Sequence, residues 1–298
     1  MTRRRDSAGP CRSAGVTLIE LAITIALVGI LAALIANFVQ PVRSYIDSSR
    51  RAALADTADT ALRRMGRDVR LALPNSVRVD GTFRFVEFML VRTGGRYRLD
   101  SDAAATNTCT GGFANDVLSF SAADTCFKTI GNIPNLAQVT ANDFLVIYNL
   151  PPGTANANAY EFAGTGGNKS QISATLPVAF AGEDRITIAS HGYTFESPGR
   201  RFFIIEGPVS YGCNLATGTL TRYWGYTGFN ISQQTPPAGG SSAILATGVT
   251  ACSFTYNTSI ASEGAGLLTL ALRLSTQDSR GDTENVNLYH SVHVNNLP

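Results

Sequence analysis

The 298-residue chain lacks the residue patterns on which most enzyme sites are built. It has three histidines and five cysteines, with no C-x-x-C pair, no G-x-S-x-G and no H-E-x-x-H. These absences leave out the common zinc sites and the motif-bearing hydrolases. We therefore expect a protein that is not an enzyme and that needs no cofactor and no metal.

Two groups of residues only superficially suggest a ligand site. The glycine-rich stretch 164–170 has Asn168 where a phosphate-binding loop needs glycine, so we interpret it as a plain loop. Asp100, Asp102 and Asn107 could hold calcium, but they lack the EF-hand spacing and equally suit a polar turn.

Three other polar or aromatic residues are open to two interpretations. His290 and His293 are three apart on a predicted strand, so they face opposite sides and cannot share a metal. Trp224, the single tryptophan, lies between Tyr223 and Tyr226 and could stack on a sugar. Packing in the core is the interpretation that we favour for its ring.

Charge is scarce and nearly balanced. Only 15% of residues are charged, and the net charge is +2. Four arginines and one aspartate lie in residues 1–15, so the remainder has 20 basic and 21 acidic residues, a net charge of −1. The sequence therefore has no basic surface of the kind that nucleic acids require.

One long apolar run is present near the amino terminus. Residues 16–39 comprise 24 positions with a single charge, Glu20. As one helix this run is about 36 Å long, enough to cross a bilayer core of ~30 Å. A carboxylate near the end of such a helix is costly in lipid, which marks Glu20 as a functional candidate that needs a charged partner.

The basic leader and the residues Gly15, Val16 and Glu20 resemble the start of type IV prepilins and type II secretion pseudopilins. The resemblance implies that prepilin peptidase cuts after Gly15, that Val16 becomes an N-methylated amino terminus, and that Glu20 guides filament assembly. Val16 departs from the phenylalanine usual there. The resemblance further implies an inner-membrane protein with a cytoplasmic amino terminus and a periplasmic body, which joins major and minor pilins in a filament.

Two other interpretations fit the amino terminus less well. An ordinary secretory signal has a shorter apolar core and an A-x-A cleavage site at its far end, and the run here has neither. A plain membrane anchor explains the length of the run, but not the spacing from Gly15 to Glu20.

The pattern predicts one helix over residues 16–73, with 1–15 as the leader and 16–39 as the membrane-spanning part. From Arg50 to Leu73 the pattern is amphipathic, and its apolar stripe comprises Leu54, Ala58, Leu62, Met65, Val69 and Leu73. We expect Pro74 to end the helix, because the residue before a proline is driven out of the α region.

Residues 74–298 are predicted to form a β-rich domain. The strand candidates are 83–90, 116–120, 143–149, 184–190, 201–206, 218–224, 250–256, 267–274 and 284–294. The predicted loops are 100–115, 151–170 and 231–242. The fold class is therefore α+β, in which a long amino-terminal helix packs on an antiparallel sheet, as in type IV pilins.

Four cysteines remain after the leader, which contains Cys11. An even number in an oxidising compartment suggests two disulfides, for which three connectivities exist. We predict Cys109–Cys126, which closes a short loop at low entropic cost, and Cys213–Cys252.

Residues 206–213, 221–226, 251–254 and 288–294 look like the minor pilins of mannose-sensitive haemagglutinin (MSHA) type pili. The helix end at 62–70 is also similar to the J-type pseudopilins of type II secretion. These resemblances imply a minor type IV pilin that acts in pilus initiation or at the tip. A type II pseudopilin and a membrane-anchored binding or adhesin module remain the alternatives.

Overall fold

The structure is a computed structural model. It describes residues 15–99, 109, 116–161, 166–177, 182–226, 229–261, 264–278 and 280–298. The predicted leader, residues 1–14, and most of the predicted loop 100–115 lie outside this part of the chain.

A single helix, α1 (Leu18–Arg70), comprises 53 residues and contains Pro41 without ending there. It stops earlier than the predicted residue 73. Leu73 N–H donates to Met89 O at 2.8 Å, and Val91 N–H donates to Leu71 O at 2.8 Å. Leu71 and Leu73 thus pair with a neighbouring strand, which draws the backbone out of the helix after Arg70. Pro74 is therefore not what ends the helix.

In the described part of the chain, the remaining elements are strands and a short 3-10 helix, Leu136–Gln138. The strands are β1 (Arg78–Val79), β2 (Phe85–Tyr97), β3 (Asp124–Ile130), β4 (Phe144–Ile147), β5 (Gly166–Gly167), β6 (Lys169–Pro177), β7 (Asp184–Tyr193), β8 (Arg201–Asn214), β9 (Thr219–Trp224), β10 (Ser241–Thr247), β11 (Val249–Ala261), β12 (Ala265–Gln277) and β13 (Thr283–Asn295).

Two sheets enclose the second half of α1. One face of β1-β2-β8-β9-β10 and the inner face of the three-stranded sheet β11-β12-β13 supply the walls of this core. Ala58, Leu62, Met65 and Val69 of α1 are almost fully buried between them. The predicted apolar stripe is therefore the buried face of the helix, although Leu73 lies beyond its end.

The strands β2 and β8 continue past this core into a second lobe. There the pairing runs β2-β3-β7-β6-β4-β8 and returns to β2, so six antiparallel strands close into a small barrel. Its interior is filled by apolar side chains that include Phe127, Ile186 and Phe202. A closed ring has no free edge strand, which protects the lobe from edge-to-edge association.

Several strand predictions were wrong in this lobe. The predicted strand 116–120 is irregular, with Asp116 at φ 54° and Ser119 N–H donating to Asp124 Oδ2 at 3.0 Å. Strands β3 and β6 were missed, and β6 begins inside the predicted loop 151–170. A buried Lys128, paired with Asp116 at 3.3 Å, breaks the apolar alternation of β3.

Both predicted disulfides are present. Cys109–Cys126 has a Cα–Cα distance of 5.6 Å, and Cys213–Cys252, with 6.4 Å, joins β8 to β11. The second bond therefore connects the two sheets that enclose α1.

Replacing Cys213 and Cys252 by serine should lower the free energy of unfolding by about 2–4 kcal/mol, because the bond closes a loop of 39 residues in the unfolded chain. Urea titration of the detergent-solubilised protein measures the loss. The matched pair Cys109→Ser and Cys126→Ser, separated by 17 residues, should cost less. Equal midpoints for wild type and the first variant would contradict the prediction.

Candidate functional site

The amino-terminal end of α1 places the three predicted processing and assembly residues together. Gly15 and Val16 precede the helix, and Thr17 caps it, with its side-chain oxygen accepting from Glu20 N–H at 3.3 Å. Glu20 lies in the first turn, where the helix dipole favours a carboxylate. Both the predicted new amino terminus and the only carboxylate of the apolar run are thus at one end of the helix.

The next segment of α1, Leu18–Phe38, is long and apolar enough to cross a membrane, and none of it is buried. Its large apolar side chains point outward on every side, with Leu18 87% exposed. Such a surface needs lipid or other apolar helices around it.

The last turn of α1 is fixed to the sheet by a charged network. Asp68 accepts from the Tyr211 hydroxyl at 2.6 Å and from Arg222 Nε at 2.8 Å. Burial, with the adjacent carboxylate, raises the pKa of Tyr211. The network fixes the last turn of α1 to strands β8 and β9.

A groove lies between α1 and β13, and we call it the arginine groove. It has a volume of about 550 Å³ and is lined by Asp59, Thr60, Arg63, Gly66, Arg67, Arg70 and His290. At Gly66 a Cβ atom would lie 2.7 Å from His290 Nε2, so glycine is what allows the strand to approach the helix here. His293 lies on the other face of β13, as predicted, and is exposed there, whereas His290 is partly buried.

A cleft opens where the two lobes meet. On the side away from β2, strand β8 pairs first with β4, through residues 202–205, and then with β9, from Val209 onward. Among the described pairings, residues 206–208 between these two stretches have no partner on that side. Gly207, at φ +141°, forms the bulge that separates the two halves of β8. The resulting cleft has a volume of about 740 Å³.

Aromatic rings and two charged side chains line this cleft. The rings are those of Phe144, Trp224, Tyr226 and Phe229. Glu206 on the rim is half exposed and lies 3.6 Å from Arg92, which also binds Asp143 at 3.0 Å. The Arg222 guanidinium lies 4.9 Å from the Trp224 ring, so Trp224 packs only partly and also faces the cleft.

Beside the cleft, Lys169 is a buried amine. Its Nζ lies 3.3 Å from the centre of the Phe229 ring and donates to Ala159 O at 2.7 Å. Burial lowers the pKa of the Lys169 ammonium to about 7. In the unfolded chain the same group titrates near its ordinary value of about 10.4.

This difference predicts that stability rises with pH between about 7 and 10, because the unfolded chain then holds a proton that the folded chain has released. Below that window both states are protonated, and the burial penalty is present in full. Lys169→Met should abolish this rise, as measured by urea unfolding at stepped pH. Lys128 is the only other lysine, and the ten tyrosines are common to both proteins, so the difference between the two slopes reports Lys169. An unchanged slope in the variant would contradict the prediction.

A second buried network lies on the face of β2 opposite the helix. Glu87 is 1% exposed and binds Arg78 at 2.9 Å and the Tyr226 hydroxyl at 3.0 Å. Burial raises the pKa of Glu87, and Arg78 opposes the shift. Arg78 also donates to the carbonyl oxygens of Asn230 and Ile231, which fixes the loop beside the cleft.

Sequence reasoning missed Arg78, Glu87, Lys169 and Glu206. The only available signal was a charge inside a strand of apolar residues, as at Glu87 in 85–90. The stretch 164–170 leads into strand β6 and not into the helix of a phosphate loop. The calcium candidates Asp100, Asp102 and Asn107 lie outside the described residues.

Comparisons with protein-family models, with curated proteins and with solved structures each found no match to this chain.

Proposed function

We propose that the chain is a minor type IV pilin, a structural subunit that prepilin peptidase processes and that enters a pilus through α1. One observation carries the proposal: a single helix is fully exposed and apolar over Leu18–Phe38 and embedded in a β-rich body over its second half. Such a helix can exchange lipid for the apolar helices of other subunits without any change in the body. We also propose that this arrangement of one long helix on an antiparallel sheet is a type IV pilin fold.

In this proposal the peptidase hydrolyses the bond between Gly15 and Val16 on the cytoplasmic side, where the arginines of the leader hold it. The cut leaves a new amino group on Val16, which is then N-methylated. Glu20 neutralises this amine, in its own chain or in a neighbour. Each charge alone is costly in lipid, so the pair favours the subunit arrangement in which both are compensated.

Amino-terminal sequencing of the membrane-extracted protein tests the proposal. We expect the mature chain to begin at Val16, and to lose this start when prepilin peptidase is deleted. An intact leader, or a start beyond the apolar segment, would refute it.

The same geometry also suits a type II secretion pseudopilin, which would be cut at the same bond but would assemble in a secretion machine. The presence of this subunit in sheared surface pili distinguishes the two. Its absence from sheared pili, together with a loss of secretion when the gene is deleted, would favour the pseudopilin.

The cleft supports a second candidate function, that of a membrane-anchored binding or adhesin module. A volume of about 740 Å³ and aromatic walls are typical of small-molecule sites. Trp224 is the single tryptophan, so its fluorescence reports on the cleft directly. A saccharide panel that shifts this emission, and no longer binds after Glu206→Gln, would support the module; an unresponsive emission would count against it.

A further inference from the structure

The aromatic walls of the cleft between the two lobes present rings and few polar atoms. The Tyr226 hydroxyl lies 2.7 Å from Ser210 Oγ and donates to Glu87 at 3.0 Å, so it is already engaged within the chain. The rings of Phe144 and Phe229 meet edge to face, with centroids 4.6 Å apart. A ligand in the cleft therefore meets mainly carbon atoms and the faces of aromatic rings.

The ion pairs around the cleft leave one carboxylate in excess. Arg222 is engaged by Asp68, which accepts from Arg222 Nε at 2.8 Å. Arg92 is shared between two acids, since its Nε lies 3.0 Å from Asp143 and its Nη2 lies 3.6 Å from Glu206. Asp143 is buried and closer, whereas the Glu206 side chain is 50% exposed. Glu206 is therefore the carboxylate whose charge is least compensated, and it lines the cleft.

The fold places this carboxylate at the mouth of the cleft. Glu206 lies in the part of β8 that has no partner on the side away from β2, between the stretches paired with β4 and β9. The next residue is the bulge at Gly207, and a bulge redirects the neighbouring side chain of a strand. Glu206 can thus turn toward a ligand without breaking a pairing of the sheet on that side.

Lys169 does not supply the missing positive charge. Its amine is held behind the Phe229 ring, 3.3 Å from the ring centre, and donates to Ala159 O at 2.7 Å. Burial lowers the pKa of this ammonium to about 7, so at neutral pH the group is only partly charged. Lys169 is also not among the described residues that line the cleft.

We propose that the cleft binds an organic cation, whose amino or quaternary ammonium group lies beside Glu206 and whose carbon framework packs on the aromatic walls. The inference rests on the second candidate function, in which the cleft binds a ligand, and it names the class of that ligand. Aromatic faces and a carboxylate both attract a cation, and the attraction increases where water is excluded. A volume of about 740 Å³ has room for a choline group or an amino sugar.

Other classes of ligand fit this arrangement less well. An anion would face the carboxylate of Glu206 in a cavity of low polarity, which is repulsive. A neutral sugar could stack on Trp224, but it would give Glu206 no counter-charge beyond the shared Arg92.

Titration of the full chain with matched pairs of ligands tests the inference, with the emission of Trp224 as the readout. The protein is kept in a polyoxyethylene detergent, which has neither a sugar nor an ammonium group. Choline is compared with its neutral analogue, in which carbon replaces the ammonium nitrogen, and glucosamine is compared with glucose at neutral pH. We expect the charged member of at least one pair to bind roughly tenfold more tightly than its neutral partner. The pair that shows the preference identifies an alkylammonium group or an amino sugar as its source.

Two variants connect the preference to one carboxylate. Glu206→Gln keeps the shape of the side chain and removes its charge, so the charged ligand should then bind no better than its neutral partner. Arg92 keeps Asp143 as its partner, and an unchanged urea midpoint shows that the fold is intact. Glu196→Gln, the same change at an exposed position on the barrel lobe, should leave both affinities unchanged. Isothermal titration calorimetry detects any binding that leaves the emission unaltered.

Three outcomes would overturn the inference. Equal affinities within both pairs would do so, as would a preference that survives Glu206→Gln. If neutral sugars bind without any preference for the charged ligand, the binding module stands and only the class of its ligand is wrong. If no ligand is bound in either measurement, the inference and the binding module both fail, while cleavage between Gly15 and Val16 still decides the pilin proposal.

Discussion

Replacing Arg78 by methionine should lower the free energy of unfolding by about 3–5 kcal/mol, because it leaves the Glu87 carboxylate buried without its cation. The variant also loses the two hydrogen bonds from Arg78 to Asn230 and Ile231, at 2.9 and 2.7 Å. Thermal and urea unfolding of the solubilised chain measure the loss. A change below about 1 kcal/mol, the level of an exposed pair, would contradict the prediction.

The pH dependence of the same variant provides a second measurement. Burial already raises the pKa of Glu87, and the removal of Arg78 removes the influence that opposes this shift. The folded chain then binds a proton at pH values where the unfolded chain has lost it, so stability falls as pH rises through that window. The deficit should therefore shrink in acid. The double variant Arg78→Met with Glu87→Gln should recover much of the loss at neutral pH, because the unpaired charge is gone.

Glu20→Gln should reduce the incorporation of this subunit into filaments roughly tenfold or more, since it leaves the proposed amino group of Val16 uncompensated in an apolar surrounding. Insertion and the folded body should be unaffected, because Glu20 lies in the first turn of α1, far along the chain from the first buried helical residue, Ala58. The measurement is the amount of subunit in sheared pili relative to its amount in membranes.

A matched control separates this effect from any general effect of removing a carboxylate. Glu196→Gln makes the same chemical change at an exposed position on the barrel lobe and should leave incorporation unchanged. Equal incorporation of the Glu20→Gln protein and wild type would mean that α1 acts as an anchor alone, in line with the binding-module alternative.

The helical half of the fold could be predicted because its signals are local. The six residues of the predicted apolar stripe follow one another at intervals of three or four, and those from Ala58 to Val69 are buried in the structure. The end of the helix was misplaced by three residues. Its cause is a hydrogen bond from Leu73 to Met89, which lies sixteen positions further along the chain and leaves no mark in the local pattern.

The barrel lobe could not be predicted in the same way, because its stability comes from contacts distant in sequence. Lys128 in β3 and Lys169 in β6 look like surface residues, yet the first is buried against Asp116 and the second against Phe229. The same limit applies to the cleft, whose walls come from β4, β8, β9 and the loop after β9. In the sequence, only Trp224 pointed to the cleft, because its ring could either stack on a sugar or pack in the core.

The closed barrel lobe has a consequence for how this chain can be rebuilt. Its strands between β2 and β8 occupy residues 98–200, and the chain leaves and re-enters at one point, where Tyr97 N–H donates to Arg200 O at 2.9 Å. The lobe therefore extends from the end of a β-hairpin, but it also packs on the rest of the body, because Val146, Ala159 and Tyr160 share a buried cluster with Leu73, Met89 and Ile205. A two-residue turn joining Arg96 to Arg201, which already pair across that hairpin, would leave the core around α1 in place but would uncover this cluster. A shortened chain therefore needs new cover for Leu73, Met89 and Ile205 as well as the turn.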